Sequence, residues 1–163
     1  RVHKSMGGTL SDTLWYAEFE FICTALAAGS QGVPFMVSAG TAKPRDGAQD
    51  ALGMWIQIPG ATPQIGLLKN NGGTLAVSSV ITMTLSTQYY PRVERTSATN
   101  LRLSVFTDAA RTTHITGSPI NYTIDSTITT LTTIQHSSDD GGATAAAWTA
   151  TLDTMRIYNN LSP

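Results

Sequence analysis

Charge is scarce in this chain. Asp, Glu, Lys and Arg make up 13% of its 163 residues, about half the usual globular share. Lysine is confined to Lys4, Lys43 and Lys69. Coiled coils and long helical bundles need far more Glu, Lys and Arg, so those classes are excluded. Ten basic and eleven acidic residues leave a formal net charge of −1. Gripping nucleic acid by its phosphates takes a basic field, and this chain has none, so nucleic acid is not an expected partner. The single cysteine, Cys23, rules out a disulfide scaffold. No run approaches the roughly 18 apolar residues that carry a helix across a bilayer, so membrane insertion is not expected. No capped amphipathic window of about ten residues is present to start a helix. No repeat at a period of roughly 20–50 residues is evident.

Apolar alternation and turn chemistry fill that space. From Leu14 to Thr24 the pattern has period two: Trp15, Ala17, Phe19, Phe21 and Cys23 share one face, and Tyr16, Glu18, Glu20 and Ile22 the other. Alternation of that kind marks a half-buried strand. Further strands are expected over 33–38, 52–58, 64–68 and 76–86, with Asn70-Asn-Gly-Gly73 as a hairpin turn. A second hairpin pairs 88–96 with 100–107. Setting Val93 against Leu103 on the core side places Glu94 opposite Arg102 on a solvent face. Strands are also expected over 112–124 and 127–136. In 143–159 the phase changes between Leu152 and Met155, and a β-bulge near Asp153 and Thr154 is the economical repair. Eight to twelve short strands predict an all-β, antiparallel two-sheet sandwich or a barrel. Residues 1–163 fit one domain, with 1–12 as an arm or lead-in strand. A start at Arg1 without a visible signal segment reads as a processed chain or an excised domain.

Three segments together resemble a known family. Trp15–Phe21 resembles the opening strand of concanavalin A-like (laminin G or pentraxin-type) jelly rolls. Tyr89–Asp108 resembles the central hairpin of that family, with its aromatic and Arg-rich strand. Thr151–Asn159 is similar to its closing strand, of the form apolar-Asp-x-apolar-Arg-Ile-Tyr-Asn. The resemblance implies a concanavalin A-like jelly roll of two antiparallel sheets. It does not fix a function, because lectins, adhesion modules, enzymes and structural domains all use this fold.

Several residues stand out as candidates. Glucan-cleaving relatives use a Glu-x-Asp-x-x-Glu strand. The nearest pattern here, Glu18-Phe-Glu20, lacks the Asp and the third acid, so a glycosidase is the third-ranked expectation. Sugars are held by aromatic rings and a few polar groups, which singles out Trp55, Tyr16 and Tyr90; for each, plain packing is the competing role. Relatives hold calcium through loop acids, and Asp46, Asp50, Asp139 and Asp140 are the acids here that could do so. Asp-Gly steps are also ordinary turn chemistry, so no cofactor is assigned. His3, His114 and His136 lack zinc-ligand spacing. Asn121-Tyr-Thr123 and Asn160-Leu-Ser162 fit the N-glycosylation acceptor pattern.

The leading expectation is a non-catalytic recognition module, extracellular or surface-displayed, binding carbohydrate or a protein partner through rim loops or a sheet face. The second is a structural subunit or decoration domain of an extracellular filament, cell envelope or virion. Low charge limits repulsion between copies there, and a homo-oligomer or larger assembly would follow.

Overall fold

The computed structural model describes residues 2–42, 48–137 and 148–160. Among the described residues there are eleven strands and no helix. They are β1 (Val2–Ser5), β2 (Trp15–Leu26), β3 (Gln31–Ser38), β4 (Ala51–Gln57), β5 (Gln64–Asn71) and β6 (Thr74–Thr82), followed by β7 (Arg92–Ser97), β8 (Asn100–Ser104), β9 (Ile120–Thr123), β10 (Thr133–Ser137) and β11 (Trp148–Asn159). One sheet has six strands in the order β1-β10-β3-β4-β5-β6, and the other five in the order β11-β2-β7-β8-β9. Every pairing is antiparallel. The expected lead-in strand is β1, docked on β10.

The inner faces pack together as the period-two pattern requires. Trp15, Ala17, Phe19, Phe21 and Cys23 of β2 are all buried. Across from them lie Phe35 and Val37 of β3, Leu52, Met54 and Ile56 of β4, and Ile65 and Leu67 of β5. A smaller cluster forms on the other face of the six-stranded sheet: Met36, Ala51, Trp55 and Leu68 alternate with these residues, and Val33 joins them across the register shift between Gly32 and Phe35. That sheet is therefore apolar on both sides, which is why β3 reads as a nearly continuous apolar run. Gly53 is needed where β3 and β4 meet, since a Cβ there would overlap the Phe35 carbonyl oxygen.

Turn chemistry sets the registers. Asn71 faces Thr74 across the β5–β6 turn. Gly72 and Gly73 both have positive φ, 56° and 103°, the signs that a type I′ hairpin turn demands. In the β7–β8 hairpin Val93 faces Leu103 and Glu94 faces Arg102, as the sequence implies. The exposure differs from the expectation: Glu94 is 5% exposed. Its strand lies inside the sheet, with Tyr16 aligned on one side and Arg102 on the other. The 3.6 Å contact with Arg102 is thus half-buried rather than solvent-facing. In β11 the register against β2 slips between Asp153 and Arg156, where Thr154 takes φ 53°; this is the expected bulge.

Two expected strands are much shorter. Of residues 112–124 only Ile120–Thr123 joins a sheet, because the Asp108 carboxylate takes the Thr112 and Thr113 amides and Gly117 turns the chain at φ 87°. Of 127–136 only the part from Thr133 pairs. The segment before it is strapped to the sandwich by side chains. Arg95 Nη1 donates to the Ile128 carbonyl at 2.8 Å, and Asp50 accepts from the Thr129 amide at 3.2 Å. Lys69 meets Asp125 at 3.0 Å.

Arg95 is the unusual member of the core. It is fully buried, aligned with Trp15 and Leu101, and also donates to the Ser97 and Ala98 carbonyls. Burial pulls its pKa below the ordinary guanidinium value, opposed by the charge of Asp12. Replacing it by alanine (Arg95→Ala) strands the Ile128 carbonyl and opens a cavity. The expected cost is about 3 kcal/mol, read as a lower urea midpoint at unchanged slope; a loss below about 0.5 kcal/mol would contradict this role.

Candidate functional site

Because β2 alternates strictly, fixing its inner residues fixes its outer ones. Tyr16, Glu18 and Glu20 therefore project from the outer face of the five-stranded sheet. Neighbouring strands bring partners in register: Tyr158 faces Tyr16 and Arg156 faces Glu18 from β11, and Arg92 faces Glu18 from β7. The Tyr16 and Tyr158 rings stack with centroids 4.5 Å apart, and the Arg92 guanidinium lies 5.5 Å from the Tyr16 centroid. Arg92 grips one Glu18 oxygen through Nε at 2.7 Å and Nη2 at 2.5 Å. Partial burial favours the phenol form of Tyr16, raising its pKa, and the Glu18 charge acts in the same direction.

Arg111 comes from the loop that follows β8. Its Nε lies 3.7 Å from the same Glu18 oxygen, and its guanidinium sits 6.0 Å from the Tyr90 ring centroid. Thr154, set in the bulge of β11, donates its hydroxyl to Glu20 at 3.2 Å. Glu18, Glu20, Tyr90, Ala109, Arg111, Thr154 and Arg156 together line a pocket of about 190 Å³. It offers two carboxylates, two guanidiniums, a hydroxyl and an aromatic ring. Such a set can accept and donate hydrogen bonds to vicinal hydroxyls while a ring packs beside them. Its volume lies below the roughly 300–1,000 Å³ of pockets for drug-sized ligands, a size suited to one sugar ring.

The candidates from the sequence divide over the molecule. Tyr16 and Tyr90 belong to this face, together with Glu18 and Glu20. Trp55 lies apart, packed at 3% exposure in the outer cluster of the six-stranded sheet, so its indole takes the packing role. Asp50 is engaged through both oxygens, by the Gly72 and Thr129 amides. Asp46, Asp139 and Asp140 lie outside the described residues. Among the described residues no three His, Cys, Asp or Glu side chains are placed to share a metal ion. Asn121 sits exposed on edge strand β9, within reach of Asn100. Asn160 is exposed just past β11, and Ser162 of its acceptor pattern lies outside the described residues.

Sequence reasoning missed Arg111, Arg156, Thr154 and Tyr158. Arg156 and Tyr158 were findable, since a bulge before them restores the outer phase. Arg111 carried no signal, because its loop is positioned by Asp108 and not by any periodic pattern.

No protein-family model matches the sequence, and no curated protein matches it either. Solved structures do. An alginate lyase from Pseudomonas aeruginosa superposes with TM-score 0.57 at 14% identity, over 91% of this chain and 66% of that one. Sheep galectin-11, solved with glycerol, gives 0.56 at 7% identity over 96% of both chains. Domains LG4-5 of the mouse laminin alpha1 chain give 0.57 at 13% identity, over 95% of this chain and 37% of that one. The chain thus spans less than two thirds of the lyase and of the laminin pair. At these identities the likeness establishes the fold, a concanavalin A-like jelly roll.

Asp108 positions the loop that carries Arg111. The Thr112 amide, with help from Thr113 and the Thr112 hydroxyl, holds the Asp108 carboxyl below its ordinary value, against a smaller opposing effect of burial. A folded value below the unfolded one adds stability above the unfolded value, and that stability is lost as pH falls through the folded value. The Thr112 and Thr113 amide signals should therefore hold through mildly acidic solution and shift only below the usual carboxylate range. Asp108→Asn should abolish that titration. A midpoint at the ordinary aspartate value would contradict the arrangement.

Proposed function

We propose that this chain is a non-catalytic, surface-displayed recognition module that binds saccharide at the pocket bounded by Glu18, Glu20, Tyr90, Arg111, Thr154 and Arg156. The observation that carries the reading is the meeting, in one small pocket, of two carboxylates, two guanidiniums and a tyrosine ring. The fold supports it: among its bearers are an alginate lyase and a galectin solved with a polyol.

The same pocket bears on the enzyme reading, since Glu18 and Glu20 both line it. Glycoside cleavage asks one carboxyl to deliver a proton and the other to attack or activate water. Glu18 is clamped by Arg92 and approached by Arg111. A carboxylate held in this way anchors charge and accepts hydroxyl hydrogen bonds. With Glu18 Oε1 taken up by both cations and no third acid among the residues that line the pocket, the arrangement favours binding over turnover.

A glycan array followed by calorimetry on the best ligand tests this. Glu20→Gln and Arg156→Ala should each weaken binding about tenfold or more, near 1.4 kcal/mol, with thermal unfolding unchanged. Trp55→Phe should bind as the wild type does. An empty array would overturn saccharide recognition. Cleavage of a polysaccharide by the wild type, lost in Glu20→Gln, would replace binding with catalysis.

A further inference from the structure

Four strands end the two sheets: β1 and β6 in one, β11 and β9 in the other. An exposed sheet edge is a row of unpaired backbone groups, and monomeric proteins blunt it with charge, brevity or bulges. Strand β1 carries His3 and Lys4, β11 carries Asp153 and Arg156 with a bulge, and β9 is only four residues long. Strand β6 differs. It runs for nine residues inside a 22-residue stretch, 70–91, that contains no charged side chain. Its one irregularity against β5 falls beyond Val77, which leaves Thr74–Val77 regular.

A second observation falls at the same place. Val77 is one of two large hydrophobic side chains exposed among the described residues, at 41%. Beside it, Trp55, Gly73, Leu75, Ala76 and Val77 line an apolar pocket of about 320 Å³. The other exposed one, Met155, lies on β11, the end strand of the other sheet.

We propose that β6 is a self-association edge: it pairs antiparallel with β6 of a second copy, and Leu75 and Val77 of the two copies pack side by side on the outer face of the joined sheet. The occupant is a second copy because the contact is self-complementary. Two uncharged edges meet with no like-charge pair, and each copy offers the same exposed valine on the same regular stretch of edge. A two-fold interface needs that reciprocity. A net charge of −1 adds almost no repulsion between copies. The contact is small, so the association is weak and concentration-dependent. The saccharide pocket, on the outer face of the other sheet, stays open in the pair.

Sedimentation equilibrium from micromolar to near-millimolar protein tests the proposal. The wild type should pass from monomer to dimer. Val77→Lys and, at an exposed position on the same strand, Thr74→Lys should each raise the dimer Kd about tenfold or more, with an unchanged circular dichroism spectrum. Met155→Lys should leave association as it is. A wild type that stays monomeric overturns the proposal. So does wild-type association by both β6 variants. Loss of the dimer in Met155→Lys would place the contact on β11 instead.

Discussion

The strict alternation of β2 is the constraint on which the rest depends. Its odd-numbered residues from Trp15 to Cys23 are sealed in the interior, so one face of that strand has no freedom of register. A slip by one residue would bury Glu18 and Glu20 and expose Phe19 and Phe21. Burying unpaired charges costs far more than burying apolar groups gains, so the slip does not occur. The outer row of Tyr16, Glu18 and Glu20 is fixed as a consequence. Binding chemistry on the surface is thereby held to the tolerance of a packed core.

Polar groups finish what the apolar layer begins. Arg95 and Asp50 bind the segment between β9 and β10 to the end of the sandwich, and Asp108 shapes the loop that supplies Arg111. Each satisfies backbone groups that no sheet ladder reaches. The site on the five-stranded sheet thus draws on two kinds of order. Rigid strands position Glu18, Glu20 and Arg156, and a capped loop adds Arg111 across from them.

Much of the fold was legible in the sequence for physical reasons. Period-two alternation announced β2, the Asn-Asn-Gly-Gly step announced the β5–β6 turn, and the Val93–Leu103 pairing followed from matching apolar faces. The broken phase near Asp153 located a bulge to within a residue. What stayed hidden was governed by long-range contacts. The burial of Glu94 depends on Tyr16, distant in sequence. The shortening of strands after Asp108 depends on side chains that compete for backbone amides. Tyr16 and Tyr90 could be singled out as aromatics on or beside strands, while Trp55 looked equivalent to them until the second apolar cluster placed it under cover. The pocket itself joins four separate stretches of chain, and no local pattern reports such a convergence.

A two-dimensional NMR titration with a saccharide selected on the array tests the central claim most directly, because it reports where contact occurs. Shifts concentrated at Glu18, Glu20, Tyr90, Arg111, Thr154 and Arg156, with the amides of β4 to β6 unmoved, are the predicted result. Shifts centred on Trp55, Leu75 and Val77, with the β2–β11 face silent, would contradict the account.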